Sequence, residues 1–92
     1  MLFLISWSGS PELRAATIDR FLKTGGQAPE GVKLIGRWHT VGPISGFALA
    51  ESNDVAALQK WVLDWNDVLE MEVRPAITDE QLGSSLAALG RA

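Results

Sequence analysis

His39 is the only histidine of the chain, and its imidazole is the one side chain here whose ordinary titration falls near neutral pH. It is therefore the first candidate for a general base or proton carrier. Arg37 stands two residues earlier, a permanent cation able to stabilise a developing anion. Residues i and i+2 of an extended strand share a face, so Arg37 and His39 project together. If the chain turns back near Gly42-Pro43, that face continues with Phe47, Leu49 and Glu51, placing a base, a cation and a carboxylate beside apolar walls. This is the composition of a small-ligand pocket. Arg37 and His39 are accordingly the candidate catalytic residues, and Trp7, Phe47, Leu49 and Glu51 the candidate ligand contacts. The plainer alternative for His39 is a half-exposed edge-strand residue bonded to a neighbour.

Other residues that could do chemistry have simpler readings. Glu70 and Glu72 alternate with Arg74, and paired carboxylates can serve acid–base catalysis, but nothing else of a sugar site accompanies them. A solvated or ion-paired strand face explains them better. Gly25-Gly26 follows a helical stretch instead of opening one, and no lysine stands where a phosphate loop needs it, so the pair reads as a C-cap. Trp61 and Trp65 form an i, i+4 pair that could be an aromatic shelf for a ligand, though such a pair on an apolar stripe belongs to core or interface. Trp7 closes the first strand and either packs or lines a cavity mouth. Trp38, beside Gly36 and opposite Ala48 in the simplest register, reads as core. With no cysteine there is no disulfide, thiolate metal site or cysteine nucleophile, and one histidine is too little for a metal or haem. No metal and no cofactor is expected.

The elements that must position these residues follow from the hydrophobic pattern. Met1 to Trp7 is apolar on both pleat faces, as a strand central in a sheet requires. Ser10, Pro11 and Glu12 then open a helix carrying Leu13, Ala16, Thr17, Phe21 and Leu22. Val32 to Thr40 alternates Val32, Leu34, Gly36 and Trp38 against Lys33, Ile35, Arg37 and His39, a mixed second face that suggests an edge strand. The short break at Gly42-Pro43 forces an antiparallel hairpin with Ser45 to Glu51. Asn53 or Ser52 can cap a second helix with the stripe Leu58, Trp61, Val62 and Trp65. Val68 to Ile77 is a fourth strand, with Pro75 marking an edge or an end. Thr78 and Gln81 form a capping box for a last helix bearing Leu82, Leu86 and Leu89.

Strand, helix, strand, strand, helix, strand is the split βαβ arrangement of an α+β, ferredoxin-like βαββαβ domain with an antiparallel sheet. Its spatial order, 4-1-3-2, puts the two most apolar strands in the middle. Ninety-two residues make one domain, with its core in 1–77 and a helical tail in 78–92. The chain is 47% hydrophobic with a mean hydropathy of +0.11, high for so small a domain. Two helices cover one sheet face and leave the other bare, so a homodimer through that face is expected. A net charge of −3, with both signs interspersed, leaves no cationic footprint for nucleic acid. The apolar start has no basic leader and is too short to span a bilayer, so a cytoplasmic protein with no membrane partner is expected.

Ala28-Pro29-Glu30-Gly31-Val32, Gly36-Arg37-Trp38-His39, Gly46-Phe47 with Glu51, the Leu58, Trp61 and Trp65 stripe, and Glu72-Val73-Arg74-Pro75-Ala76-Ile77 together resemble the family catalogued as domain of unknown function 3303. The resemblance runs from the first strand to Thr78. It implies a dimeric α/β barrel, a superfamily in which two ferredoxin-like sheets face each other around a cavity used for small hydrophobic ligands, cofactor-free oxygenation or isomerisation, or haem in larger relatives. It carries no catalytic residue onto this chain. The leading expectation is a homodimer that binds a small, partly apolar ligand in an inter-sheet cavity. The alternatives are a cofactor-independent monooxygenase- or isomerase-like enzyme with His39 as general base, and a structural or regulatory interaction module.

Overall fold

The apolar run at the amino terminus forms strand β1 (Leu2–Gly9), and it is central. In the computed structural model, which describes residues 1–90, the sheet is ordered β2-β3-β1-β4 with every neighbouring pair antiparallel. Strands β2 (Val32–His39) and β4 (Leu69–Ala76) are the edges, and β3 (Ser45–Ser52) pairs with both β1 and β2. Both edges were expected from their composition, β2 for its mixed face and β4 for Pro75. With three helices the protein is an α+β fold. The last two residues of the expected tail, 91 and 92, lie outside the described residues.

All the helix-side core comes from alternate strand positions meeting one helical stripe. Phe3, Ile5 and Ala50 point to that side and pack with Leu58, Trp61, Trp65, Val68 and Leu69. Helix α2 (Val55–Leu63) carries Leu58 and Trp61 and leads into Trp65, so the tryptophan pair is core, as its spacing required. Its N-cap is Asp54, not Asn53 or Ser52: the Asp54 carboxylate accepts from the N–H groups of Ala56 and Ala57 at 3.0 and 3.2 Å. The Ser52 hydroxyl instead donates to the Gly31 carbonyl at 2.6 Å, tying the end of β3 to the entry of β2.

Helix α1 (Arg14–Thr24) starts later than its cap signals suggest, because Pro11–Leu13 is a single 3-10 turn and Ser10 makes no side-chain cap bond. It ends on Gly25 in the left-handed region, whose N–H donates to the Phe21 carbonyl at 2.7 Å. Only Thr17 of α1 is buried. Besides the packing of Phe21 against the core, two guanidinium contacts attach the helix. Arg20 makes a bidentate pair with Asp67 at 2.7 and 2.8 Å, also donates to the Asp64 carbonyl, and lies over the Trp65 ring. The second contact, from Arg37, belongs to the site below.

Helix α3 (Asp79–Ala88) begins with the expected Thr78–Gln81 capping box but buries none of its residues. Leu82, Leu86 and Leu89 stay exposed, and so do Leu4, Trp38 and Phe47 on the face of the sheet away from α1 and α2. Trp38 and Phe47 stack on that open face with ring centroids 5.4 Å apart. The molecule is 52 Å long with a radius of gyration of 15.6 Å, against about 12 Å for a compact chain of this length. The third helix thus adds length without covering the open face. Among the described residues no helix is long and apolar enough to cross a membrane.

Candidate functional site

The geometry of β2 decides which side chains meet. Val32 and Leu34 pair with Ser52 and Ala50 and face the helices, but the register shifts between Leu34 and Gly36, leaving Ile35 as the extra residue of a β-bulge. Beyond it Gly36 pairs with Leu49, Arg37 with Ala48, Trp38 with Phe47 and His39 with Gly46. The bulge turns Arg37 and His39 onto the helix side, the side of Val32 and Leu34, and puts Trp38 on the open side.

This corrects the expected grouping. Phe47, Leu49 and Glu51 lie on the open face, across the sheet from Arg37 and His39, and take no part in a site with them. Trp38 packs over Gly36 and Phe47, not opposite Ala48, and it is 51% exposed. Of the expected residues, Trp7, Arg37 and His39 come together on the helix side.

They line one end of a cleft of about 350 Å³ between the sheet and helices α1 and α2. Its floor is Ile5 and Ala48 with Leu69 and Met71, one wall is Ile18, Phe21 and Leu22 of α1, and the other is Trp61, Val62 and Trp65. Almost all of this surface is apolar. Its polar side chains are Thr17, Arg37 and His39, and no carboxylate lines it. The Thr17 hydroxyl is already committed, donating to the Leu13 carbonyl at 2.9 Å.

Each group at the polar end has a definite support. Arg37 reaches back to the end of α1, donating to the Gly26 carbonyl at 2.6 Å and the Gly25 carbonyl at 3.1 Å, with its guanidinium 5.0 Å above the Phe21 ring. These carbonyls lie at the negative end of the helix, where a cation is favoured. Gly26 is needed for the approach: a Cβ there would come within 2.8 Å of Arg37 Nη1 and 2.9 Å of the Phe21 ring. Among the described residues Arg37 forms no ion pair. His39 is exposed, and its ring lies T-shaped to Trp7, with centroids 5.9 Å apart, and to Phe21, at 5.8 Å. Among the described residues its side chain makes no hydrogen bond. Gly46 opens room beneath Trp7, since a Cβ on it would come within 2.7 Å of the indole.

Phe21, Met71 and the Gly26 turn were not read as site residues from the sequence. The adjacent pair Phe21-Leu22 is the signal the sequence holds, because it widens the apolar stripe of α1, a helix whose only buried residue is Thr17. Glu70, Glu72 and Arg74 lie on the open face, where Arg74 pairs with Glu72. Among the described residues no cluster of three potential metal ligands occurs.

A small α+β domain with one open sheet face, and an apolar cleft with a cationic end on the other, is the class these features define. The chain belongs to the family described as Domain of unknown function (DUF3303), whose model matches residues 1–90. No curated protein matches it.

Proposed function

We propose that this protein is a binding domain for a small, largely apolar organic molecule, held in the cleft between the sheet and helices α1 and α2. One observation carries the reading: a cleft of about 350 Å³ walled by Trp7, Phe21, Trp61 and Trp65, with Arg37 and His39 together beside Phe21. This is the size and lining of a ligand site. The cleft belongs to one chain, so the ligand does not need the space between two sheets. A catalytic role for His39 would call for an acceptor that orients the imidazole, and the ring meets the aromatic rings of Trp7 and Phe21 instead. Binding is therefore the better supported function.

We also propose that the domain is ferredoxin-like and pairs with a second copy through its open sheet face, in the manner of a dimeric α/β barrel. The strand order β2-β3-β1-β4 with α1 and α2 on one side supports the first part. Exposure of Leu4, Trp38 and Phe47 together on the other side supports the second.

Titration with 2-naphthylmethanol, a neutral aromatic probe, tests the binding function. Quenching of tryptophan fluorescence and NMR shifts confined to cleft amides such as those of Ala48 and Met71 are expected. Absence of both up to the solubility limit of the probe would overturn the reading.

A further inference from the structure

Every uncommitted polar side chain facing the cleft can donate a hydrogen bond, and none carries negative charge. Arg37 is a permanent cation with five N–H donors, two of which go to the Gly25 and Gly26 carbonyls. Those carbonyls are dipoles, so the guanidinium keeps its full charge, and among the described residues no carboxylate neutralises it. His39 is exposed and packs T-shaped against Trp7 and Phe21, and among the described residues its ring nitrogens have no hydrogen-bond partner, so they are free to donate or accept. A cationic ligand would meet a half-buried guanidinium with no carboxylate partner beside apolar walls, which is unfavourable. A neutral ligand would leave that charge as it is.

We propose that the ligand is an organic monoanion, an aromatic or alicyclic carboxylate, whose head group lies against Arg37 and His39 and whose body fills the space between Phe21 and the Trp61–Trp65 wall. The proposal rests on the cleft being a ligand site, and it adds the charge and orientation of the molecule. One cation matches one carboxylate. A phosphate dianion would leave a charge without a partner in a cleft with a single arginine. The volume, equal to roughly a dozen liquid waters, suits one or two fused rings.

Three probes with the same apolar body separate this proposal from the reading beneath it: 2-naphthoate, 2-naphthylmethanol and 2-naphthylmethylammonium, titrated by calorimetry into the full chain. The expected result is 2-naphthoate binding roughly tenfold to a hundredfold tighter than the alcohol, as a charge-assisted contact gives, with the ammonium weakest. The carboxylate's advantage should shrink as salt is raised, while the alcohol's affinity holds. Equal affinity for alcohol and carboxylate would overturn the anion proposal and leave the apolar site standing. No binding by any of the three would overturn both. Arg37→Gln should abolish the preference for 2-naphthoate without weakening the alcohol, and a folded Arg37→Gln protein that retains the preference would refute the assignment. Because Arg37 also ties β2 to α1, His39→Gln is the second variant: 2-naphthoate should lose affinity relative to the alcohol, and an unchanged ratio would exclude His39 from the head-group site.

Discussion

Trp61→Ala separates two roles that the structure assigns to one side chain, wall of the cleft and part of the core. Trp61 is 7% exposed and packs with Phe3, Ile5 and Leu58. A buried tryptophan removes about 150–250 Å² from water, which at about 25 cal/mol per Å² is worth roughly 4–6 kcal/mol. Alanine retains the Cβ share of that area. The void it leaves joins a cleft already open to solvent, so less is added for an empty cavity than in a sealed core. The expected loss is about 3–5 kcal/mol. For a domain of this size each kcal/mol moves the melting temperature by about 4–8 °C, so the midpoint should fall by at least about 12 °C. Circular-dichroism melts and urea titrations measure it, with Trp38→Ala as the control: half exposed on the open face, it should cost the isolated chain under about 1 kcal/mol. If Trp61→Ala also costs under about 1 kcal/mol, the tryptophan is a removable wall of the cleft and its placement in the core is mistaken.

Gly46→Ala should destabilise by about 1–3 kcal/mol, because the added methyl would press on the Trp7 indole and the Trp38 carbonyl, and backbone cannot step aside; an unchanged melting temperature would contradict the close approach. The Arg20 guanidinium, bonded to the Asp67 carboxylate, holds Asp67 below its usual range and raises its own ionisation. A carboxyl depressed in the folded state stabilises above its unfolded value, about 3.9, and that contribution fades as pH falls through the lower folded value. The melting temperature of Asp67→Asn should therefore drop less steeply than the parent's below about pH 4, and parallel curves would show that the pair contributes nothing there. Trp38→Glu should leave the chain folded and monomeric if copies pair through the open sheet face, which light scattering reads directly; a parent already monomeric at micromolar concentration, or a dimer that survives the substitution, would refute that pairing.

Much of the frame was legible because it follows from periodicity. Period-two runs marked the strands, the two-sided apolarity of Met1 to Trp7 made β1 central, and the stripe through Leu58, Trp61 and Trp65 placed the helical side of the core. The Thr78–Gln81 box was legible because its two bonds are local. The site was harder, since it depends on one count within β2. A strict alternation from Val32 to His39 puts Arg37 opposite the face that Leu34 occupies, and the bulge reverses this. Leu34-Ile35-Gly36 held the signal: two adjacent apolar residues before a glycine inside a strand are the mark of a bulge. The polar attachment of α1 was not legible. Arg20 meets Asp67 and Arg37 meets the Gly25-Gly26 carbonyls across separations of 47, 12 and 11 residues, and nothing in local composition selects such partners.

The bulge at Ile35 makes the two faces of β2 a matter of parity. With an odd residue in the strand, the polar pair Arg37 and His39 inherits the inward position and Trp38 the outward one. Pair the same residues without the bulge and the strand's distal half exchanges its faces: an indole enters the space beneath α1, and the guanidinium and imidazole go out to the open sheet. No residue type would have changed. Among sequences of this kind, the presence of Arg37 and His39 is therefore not enough to identify the cationic end of the cleft. Whether the strand bulges between Leu34 and Gly36 must be known as well: a relative that lacks Ile35 keeps the pair inward by regular pairing, whereas one that retains it without the bulge has only the residues of the site.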